Sequence, residues 1–526
     1  MLSTTLWASF FFALTARAGK QPVIDTGYAK YLGNLTFPDS VAYLGIPYAE
    51  PPLGDLRFRA TVSLNTTRIR ESSGGEVVDA TEYPNFCIQG SIGAGDAGGA
   101  GGEDCLKVNI YAPLKATKNS KLPVLVYFHG GGYVYGNPAN WPFNRWVHQD
   151  QNVVIVSVYY RLDAFGFLAI PEFADGKIGD LNVGFLDQIQ SLKWVKTNIA
   201  SFGGDPGRVT INGESAGGGS VQLHLVANEG EELFQAAIAQ SVYRTYVGTP
   251  QERIPLFKFF ASAAGCADDD DDVARQMTCL RNASVSALAR AQDAAVGPYH
   301  LFVPVLDGKV VTENPTRAIL KGNFRKVPLV VGATSNETLS DSSQLGPPLK
   351  AFFPALANTT IASYEKVYPL SEFGGNETLR NTVAHGDSEL RCAGLATYTY
   401  RFNQANPTSG SAVVGHAAEN WWMFLGTNTG FNGTTTFTPM TPSQMAFAEE
   451  LIAYWLSFVR SHNPSTFKLE RSPSWPQFTS NDRARIVLAQ APGNSTTASG
   501  SSVETISITE TKQCEFVASI AREQED

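Results

Sequence analysis

The sequence predicts an α/β protein built on a large, mostly parallel, twisted central sheet with helices on both faces and long insertions. Three observations predict it. Short apolar, β-branched runs recur at Leu122–Phe128, Val153–Tyr159, Val209–Asn212, Ala236–Gln240 and Val327–Val331. Between the second and third lies Val183–Phe202, in which Phe185, Ile189, Leu192, Val195 and Ile199 recur at helical spacing. The order strand, helix, strand requires a crossover, and crossovers join parallel strands.

Each of the five runs is short and uniformly apolar, as expected of strands buried on both faces. With 43% hydrophobic and 11% aromatic residues, the 526-residue chain has ample material for a large core, which excludes global disorder. No fixed-period repeat and no long polar linker is present, so residues 19–526 read as one domain. Two patches fall outside the pattern. Gly90–Gly102 (GSIGAGDAGGAGG) reads as a flexible loop, and the acidic run Asp268–Asp272 as a solvated loop rather than a calcium site. A net charge of −9 with no basic run argues against a nucleic-acid partner.

The amino terminus sets the expected compartment. Leu6–Leu14 is apolar but too short to span a bilayer, and Ala16-Arg17-Ala18 follows as a small-x-small cleavage site. Residues 1–18 therefore read as a secretory signal, although no Lys or Arg precedes the apolar run. The chain's polar end, Cys514 to Asp526, has no lipid-anchor tail, so no membrane anchor is expected. Eight N-x-Ser/Thr sites, at Asn34, Asn65, Asn282, Asn336, Asn358, Asn376, Asn432 and Asn494, fit a glycosylated secreted protein. The six cysteines then suggest disulfides, with fifteen pairings open. No CxxC or Cys/His cluster points to zinc, and neither metal nor cofactor is expected.

Gly213-Glu214-Ser215-Ala216-Gly217 directly follows the strand Val209–Asn212, and a helical reading begins at Gly218–Val226. A serine on such a strand-to-helix corner is held in a strained turn, with its hydroxyl exposed at the end of the sheet. His129-Gly130-Gly131-Gly132 closes the strand Leu122–Phe128. Glycines there let backbone N–H groups turn inward, as acyl transfer requires for its tetrahedral oxyanion. The expected donors are Gly131, Gly132 and Ala216, whereas His129 reads as a prop for the loop.

Phe202-Gly203-Gly204-Asp205-Pro206-Gly207-Arg208, running into the Ser215 corner, resembles the nucleophile signature of the type-B carboxylesterase/lipase family of the α/β-hydrolase fold. Glu103-Asp104-Cys105-Leu106-Lys107-Val108-Asn109-Ile110 resembles the second family signature, with Lys107 replacing the usual aromatic or threonine. Gly45-Ile46-Pro47-Tyr48-Ala49, Pro51-Pro52-Leu53-Gly54, Arg57-Phe58 and Asn182–Gln188 are also family-like. The resemblance implies a serine carboxylic-ester hydrolase acting on a small-molecule ester. It makes Ser215 the nucleophile, Glu337 in the Val331–Glu337 segment the acid, and His416 in Gly415-His416-Ala417-Ala418-Glu419 the base. Among seven histidines, residue chemistry alone would not select His416. Beside a buried acid, the Asn336 sequon would go unused. Two supporting positions also come from the resemblance. Ser241 matches a serine that hydrogen-bonds the acid–histidine region, although Val242 stands where glycine is usual. Glu214 matches an acid behind the triad.

The resemblance further pairs Cys87 with Cys105, Cys266 with Cys279, and Cys392 with Cys514. The first two would close loops near the 15-residue length for which closure entropy amounts to about 3 kcal/mol. Only seventeen residues, mostly small, separate Cys87 from Cys105. They cannot form the long amphipathic lid of relatives that act at lipid, nor do they carry the tryptophan that binds choline. An accessible entrance and soluble esters are expected, with Trp421 and Trp422 either lining a pocket or packing in the core. The alternatives are a lipase or sterol esterase working at interfaces, or a dedicated secondary-metabolite esterase, lactonase or acyltransferase using the same residues. A non-catalytic adhesion protein is disfavoured because every triad and oxyanion position is filled. Oligomeric state is not legible.

Overall fold

A computed structural model describes residues 22–91, 97–268, 270–296, 301–392, 396–430, 433–479 and 481–525. The expected signal, the sequon at Asn432 and Asp269 of the acidic run lie outside the described residues. The strands, in chain order, are β1 (Val23–Asp25), β2 (Lys30–Phe37), β3 (Ser40–Pro47), β4 (Val77–Ala80), β5 (Lys107–Pro113), β6 (Leu122–Phe128), β7 (Val154–Val158) and β8 (Gly204–Glu214). They continue with β9 (Ala236–Gln240), β10 (Leu329–Thr334), β11 (Tyr398–Phe402), β12 (Thr427–Thr429), β13 (Thr435–Phe437), β14 (Ala484–Leu488) and β15 (Ser502–Thr505).

All but β12 and β13 join one sheet in the order β1-β2-β3-β5-β7-β6-β8-β9-β10-β11-β14-β15, with β4 beside β2. From β7 to β14 every neighbouring pair is parallel. The edges β1-β2-β3-β5 and β14-β15 are antiparallel, which lets short connections finish the sheet. The alternation of the pleat divides the core between the two faces. Val124, Val126 and Phe128 of β6 pack with Val154, Val156 and Val158 of β7 and Val209 and Ile211 of β8 in one apolar cluster. Leu125, Tyr127, Ile155 and Ile238 point the other way, into a cluster with Leu451, Tyr454 and Trp455 of the helix Pro442–Ser461.

All five predicted strands and the crossover helix, Val183–Asn198 continued by a 3-10 turn to Phe202, are present. Several boundaries differ by a few residues, two of them for physical reasons. β8 begins five residues early, at Gly204, because the Gly204–Arg208 stretch pairs beside β6 across a register shift; Pro206 is tolerated at such an irregularity. β10 runs on to Thr334 because Gly332 leaves room for the Tyr400 ring, which a Cβ would meet at 2.1 Å.

The family-like segments outside the nucleophile corner hold the scaffold. Arg57 bonds Glu103 through Nε at 2.6 Å and Nη2 at 2.7 Å, and its Nη1 caps the carbonyls of Leu280, Arg281 and Ala283. Buried Arg161 bonds Asp187 twice at 2.8 Å, and Asn182 exchanges two hydrogen bonds with the Val305 backbone. The disulfides are Cys87–Cys105, Cys266–Cys279 and Cys392–Cys514, with Cα separations of 5.0, 5.6 and 5.1 Å. Half-buried Lys107 lies 3.5 Å from Asp104. In the acidic run, Asp268 and Asp270 pair with Arg275, and Asp271 with Lys258.

Both ends of the glycine-rich segment are held by contacts where they are described. Ser91 and Ala97 within it are buried, as are Ile88 and Gln89 just before it. Gln89 bonds the Cys87 and Gly136 backbone, and Gly90 N–H donates to Val134 O at 2.9 Å. The small side chains serve close packing there: a Cβ on Gly101 would meet Cys87 O at 2.5 Å.

Candidate active site

Because β6, β8, β9 and β10 are parallel, their carboxyl ends lie side by side, and the loops leaving those ends converge. The glycine loop follows β6, Ser215 follows β8, Ser241 follows β9 and Glu337 follows β10. His416 is the exception. It comes from the long connection between β11 and the helix Ala418–Met423, so only tertiary packing brings it over Ser215.

Ser215 has φ 58° and ψ −123°, outside the regions an L-residue prefers, between β8 and the helix Ala216–Val226. The flanking glycines explain how the turn is made. A Cβ on Gly213 would lie 2.3 Å from the Gly217 backbone, and one on Gly217 would lie 2.0 Å from Phe128 O. Gly217→Ala should therefore lower stability by about 3 kcal/mol or prevent folding, since backbone rather than a movable side chain blocks the methyl. A thermal unfolding midpoint within 2 °C of wild type would contradict this reading.

The three predicted residues of the triad form one hydrogen-bonded line. Ser215 Oγ lies 2.8 Å from His416 Nε2, and His416 Nδ1 lies 2.7 Å from Glu337 Oε2. The other oxygen of Glu337 accepts from Thr334 N–H at 2.8 Å and from the Ser241 hydroxyl. Ser241 thus contacts the acid directly, and Val242 does not disturb it. Ser241 has φ 45°, and its N–H donates to Gly332 O at 2.8 Å. Ser241→Ala should reduce kcat about tenfold or more, by removing one of the two donors to Glu337 Oε1, while KM changes less than threefold. A matched rise in KM with unchanged kcat would show that Ser241 acts elsewhere.

Glu214 sits behind this line. Its Oε1 is 3.5 Å from His416 Nε2, and its Oε2 accepts from Asn420 Nδ2 at 3.0 Å. Glu419, also buried, accepts from Tyr400 OH at 3.2 Å. Three carboxyls thus surround one imidazole, and their protonation follows from burial and charge. Burial works to raise the Glu337 pKa, but the His416 charge and the hydrogen bonds from His416, Ser241 and Thr334 outweigh it and hold it below the usual carboxylate value. Burial raises Glu214, against the His416 charge and the Asn420 bond. Burial, then the Glu214 and Glu337 charges, pushes Glu419 up to about 8. Burial acts to lower His416, yet the Glu337 charge and bond, then the Glu214 and Glu419 charges, raise it to about 9.

The oxyanion candidates adjoin the serine. Gly131 (φ 101°) and Gly132 (φ 65°) line the same cavity as Ser215 and His416. Ala216 opens its helix, so its N–H has no intrahelical acceptor. His129 props this loop, as expected. It stacks on Tyr160 and Trp141, its Nδ1 lies 2.9 Å from Gly130 O, and its carbonyl accepts from Tyr160 OH at 2.7 Å. Burial, opposed by the Gly130 carbonyl, lowers its pKa to about 4, so it stays neutral.

The cavity has a volume of ≈ 270 Å³. Tyr135, Tyr243 and Tyr246 present aromatic walls, and Leu301, Val303 and Phe352 supply apolar ones. Trp421 and Trp422 are absent from that lining: both are buried, and Trp422 packs edge-on against Phe447. Three contributors had no signal in the sequence. Gly386 packs so closely that a Cβ would meet Glu337 O at 1.8 Å. Glu389 accepts from Leu339 N–H at 2.8 Å and from the Ser340 hydroxyl, anchoring the loop beyond Glu337. Arg253 lines the cavity itself. Each lies far along the chain from Glu337 or Ser215 and in no recognisable motif.

Comparison with known proteins places the chain among esterases. The family described as "Carboxylesterase family" matches residues 20–383. Rat (Rattus norvegicus) liver carboxylesterase 1F is 29% identical over 524 residues, covering 87% of this chain and 88% of the relative. The chlorogenic acid esterase of Aspergillus niger is 31% identical over 490 residues, again covering 87% and 88%. The crystal structure of Aspergillus niger EstA superimposes with a TM-score of 0.81 at 30% identity, covering 96% of this chain and 99% of that one. Sheet order, nucleophile corner and these relatives lead to one conclusion: the chain belongs to the carboxylesterase family, and is a serine-type ester hydrolase of the α/β-hydrolase fold.

Proposed function

We propose that the protein is a secreted carboxylic-ester hydrolase in which Ser215, His416 and Glu337 form the catalytic triad, and that it acts on dissolved small-molecule esters. The observation that carries the reading is the unbroken line Ser215 Oγ–His416 Nε2–Glu337 at 2.8 and 2.7 Å, in a cavity that Gly131 and Gly132 also line. His416 takes the Ser215 proton as Oγ attacks the ester carbonyl. The N–H groups of Gly131, Gly132 and Ala216 receive the negative charge that develops on the carbonyl oxygen. Collapse breaks the bond to the alcohol, which leaves with the proton from His416. Water then repeats the sequence on the acyl-serine, releasing the acid and restoring Ser215. Glu337 stays ionised, fixing the imidazole tautomer and stabilising the imidazolium.

The preference for dissolved esters rests on the short Cys87–Cys105 segment, whose described parts pack against the glycine loop and present no amphipathic helix. Hydrolysis of p-nitrophenyl esters from acetyl to palmitoyl, below and above their solubility limits, tests this. Peak activity on short dissolved esters without an interfacial jump is expected. A preference for long chains that grows with emulsion would make the protein a lipase.

Secretion rests on residues 1–18, and the three disulfides are compatible with it. No helix among the described residues is long and apolar enough to cross a membrane. Residues 19–526 form the proposed mature, single-domain chain. Asn65, Asn282, Asn358, Asn376 and Asn494 are exposed and are the proposed glycan sites, together with half-buried Asn34 and with Asn432. Asn336 is half-buried, and its Oδ1 accepts from Val414 N–H at 3.3 Å. Peptide mapping of secreted protein after enzymatic deglycosylation should find Asn-to-Asp conversion at the exposed sites and none at Asn336.

A further inference from the structure

Within the cavity that Ser215 lines stands a buried cation that forms no ion pair among the described residues. Arg253 ends the 3-10 turn Pro250–Arg253, is 6% exposed, and lines the cavity. Its Nη2 donates to Tyr246 O at 3.1 Å, and its guanidinium carbon lies 5.1 Å from the centroid of the Tyr246 ring. Its Nε is buried with no acceptor. Among the described residues no acid forms an ion pair with it. Glu252 and Glu525 act on it only at range. Glu252 also accepts from the Thr249 N–H and hydroxyl at 2.6 and 2.8 Å.

A guanidinium offers five donors in a planar fork, and a carboxylate fits that fork with two parallel hydrogen bonds. Burying an unpaired cation is unfavourable, so a site that keeps one beside its reacting centre gains when an anion arrives. The remaining walls, Leu301, Val303 and Phe352 with the tyrosine rings, suit the apolar body of a small ester.

Resting on the proposed role of Ser215, we infer that the preferred substrates are esters carrying a free carboxylate, which Arg253 binds while the ester carbonyl sits at Ser215. Arg253 is then a specificity-determining residue, and fully neutral esters are the poorer substrates. Nothing in the bond-breaking step changes; the carboxylate group is bound and released with its own fragment.

Two matched pairs of substrates test this at constant ionic strength. The mono-p-nitrophenyl ester of glutaric acid against its methyl-capped diester places the charge on the acyl side. Meta-acetoxybenzoate against meta-acetoxybenzamide places it on the alcohol side. In at least one pair the wild type should favour the charged member by at least about tenfold in kcat/KM, the effect of a hydrogen bond to a charged group. The ratio should collapse toward unity or below in Arg253→Met and survive in part in Arg253→Lys. A wild type that favours the neutral member in both pairs, or a ratio untouched by Arg253→Met, overturns the inference. Should Arg253→Met not fold, calorimetric binding of the glutaric monoester and diester to Ser215→Ala decides instead. At least about tenfold tighter binding of the monoester is expected there, and equal affinities overturn the inference. Turnover that persists in Ser215→Ala would sink the triad itself, whereas Ser215-dependent turnover without charge preference would sink only the role of Arg253.

Discussion

Replacing Ser215 with alanine is expected to lower kcat on p-nitrophenyl acetate by roughly 10⁴–10⁶-fold while the protein stays folded. The alanine methyl cannot form the acyl-enzyme, and water would have to attack the ester directly. The residual rate would come from oxyanion donors and substrate positioning alone. Folding should survive because alanine keeps the Cβ that the turn already accommodates at φ 58°, and only the Ser215 Oγ–His416 hydrogen bond is lost. The unfolding midpoint should accordingly move by no more than a few degrees. Near-normal turnover would remove Ser215 from the mechanism.

Glu337→Gln should be almost as severe, lowering kcat by roughly 10⁴-fold, for a different reason. An amide can turn its NH₂ toward His416 Nδ1, which forces the proton onto Nε2, where the Ser215 proton must be received. It also removes the negative charge that the imidazolium needs in the transition state. The pH profile distinguishes this from simple misfolding. His416 must be neutral to accept a proton, so kcat/KM rises as pH climbs through its pKa. In the wild type that pKa is raised to about 9: burial alone would lower it, and the Glu337 charge and hydrogen bond do most to overcome burial. The acidic limb should therefore lie above the ordinary imidazole value of about 6.5. In Glu337→Gln burial meets less opposition, and the limb should move to lower pH. A limb that stays in place or moves upward would assign the dominant counter-charge to Glu214 or Glu419.

Glu419 shows why the acid could not be chosen by residue chemistry alone. Both Glu337 and Glu419 are buried near His416, yet only Glu337 bonds Nδ1 and receives two further donors that favour its ionised form. Glu419 has the Tyr400 hydroxyl and an oxygen without a partner, so burial and two neighbouring charges push it toward the protonated state. The difference lies in which backbone and hydroxyl donors surround each carboxyl. Those donors come from β10, β9 and β11, which packing brings together.

The parallel core, the nucleophile corner and the glycine loop were legible in the sequence because each is local. Apolar runs report strands, helical spacing reports the crossover, and the glycines at 213 and 217 report a turn that a Cβ would block. Glu337, His416, Ser241 and the three disulfides came from resemblance, since their partners are distant in the chain. Tertiary structure alone decided that Trp421 and Trp422 pack in the core, that the ends of the glycine-rich segment are pinned, and that Gly386 and Glu389 shape the acid loop. It also placed Arg253 in the cavity that Ser215 lines, with no ion-pair partner among the described residues. The physical reason is common to all of these. Turns and periodicities are set by neighbours along the chain, whereas burial and the shape of a cavity are set by which distant segments fold against a side chain.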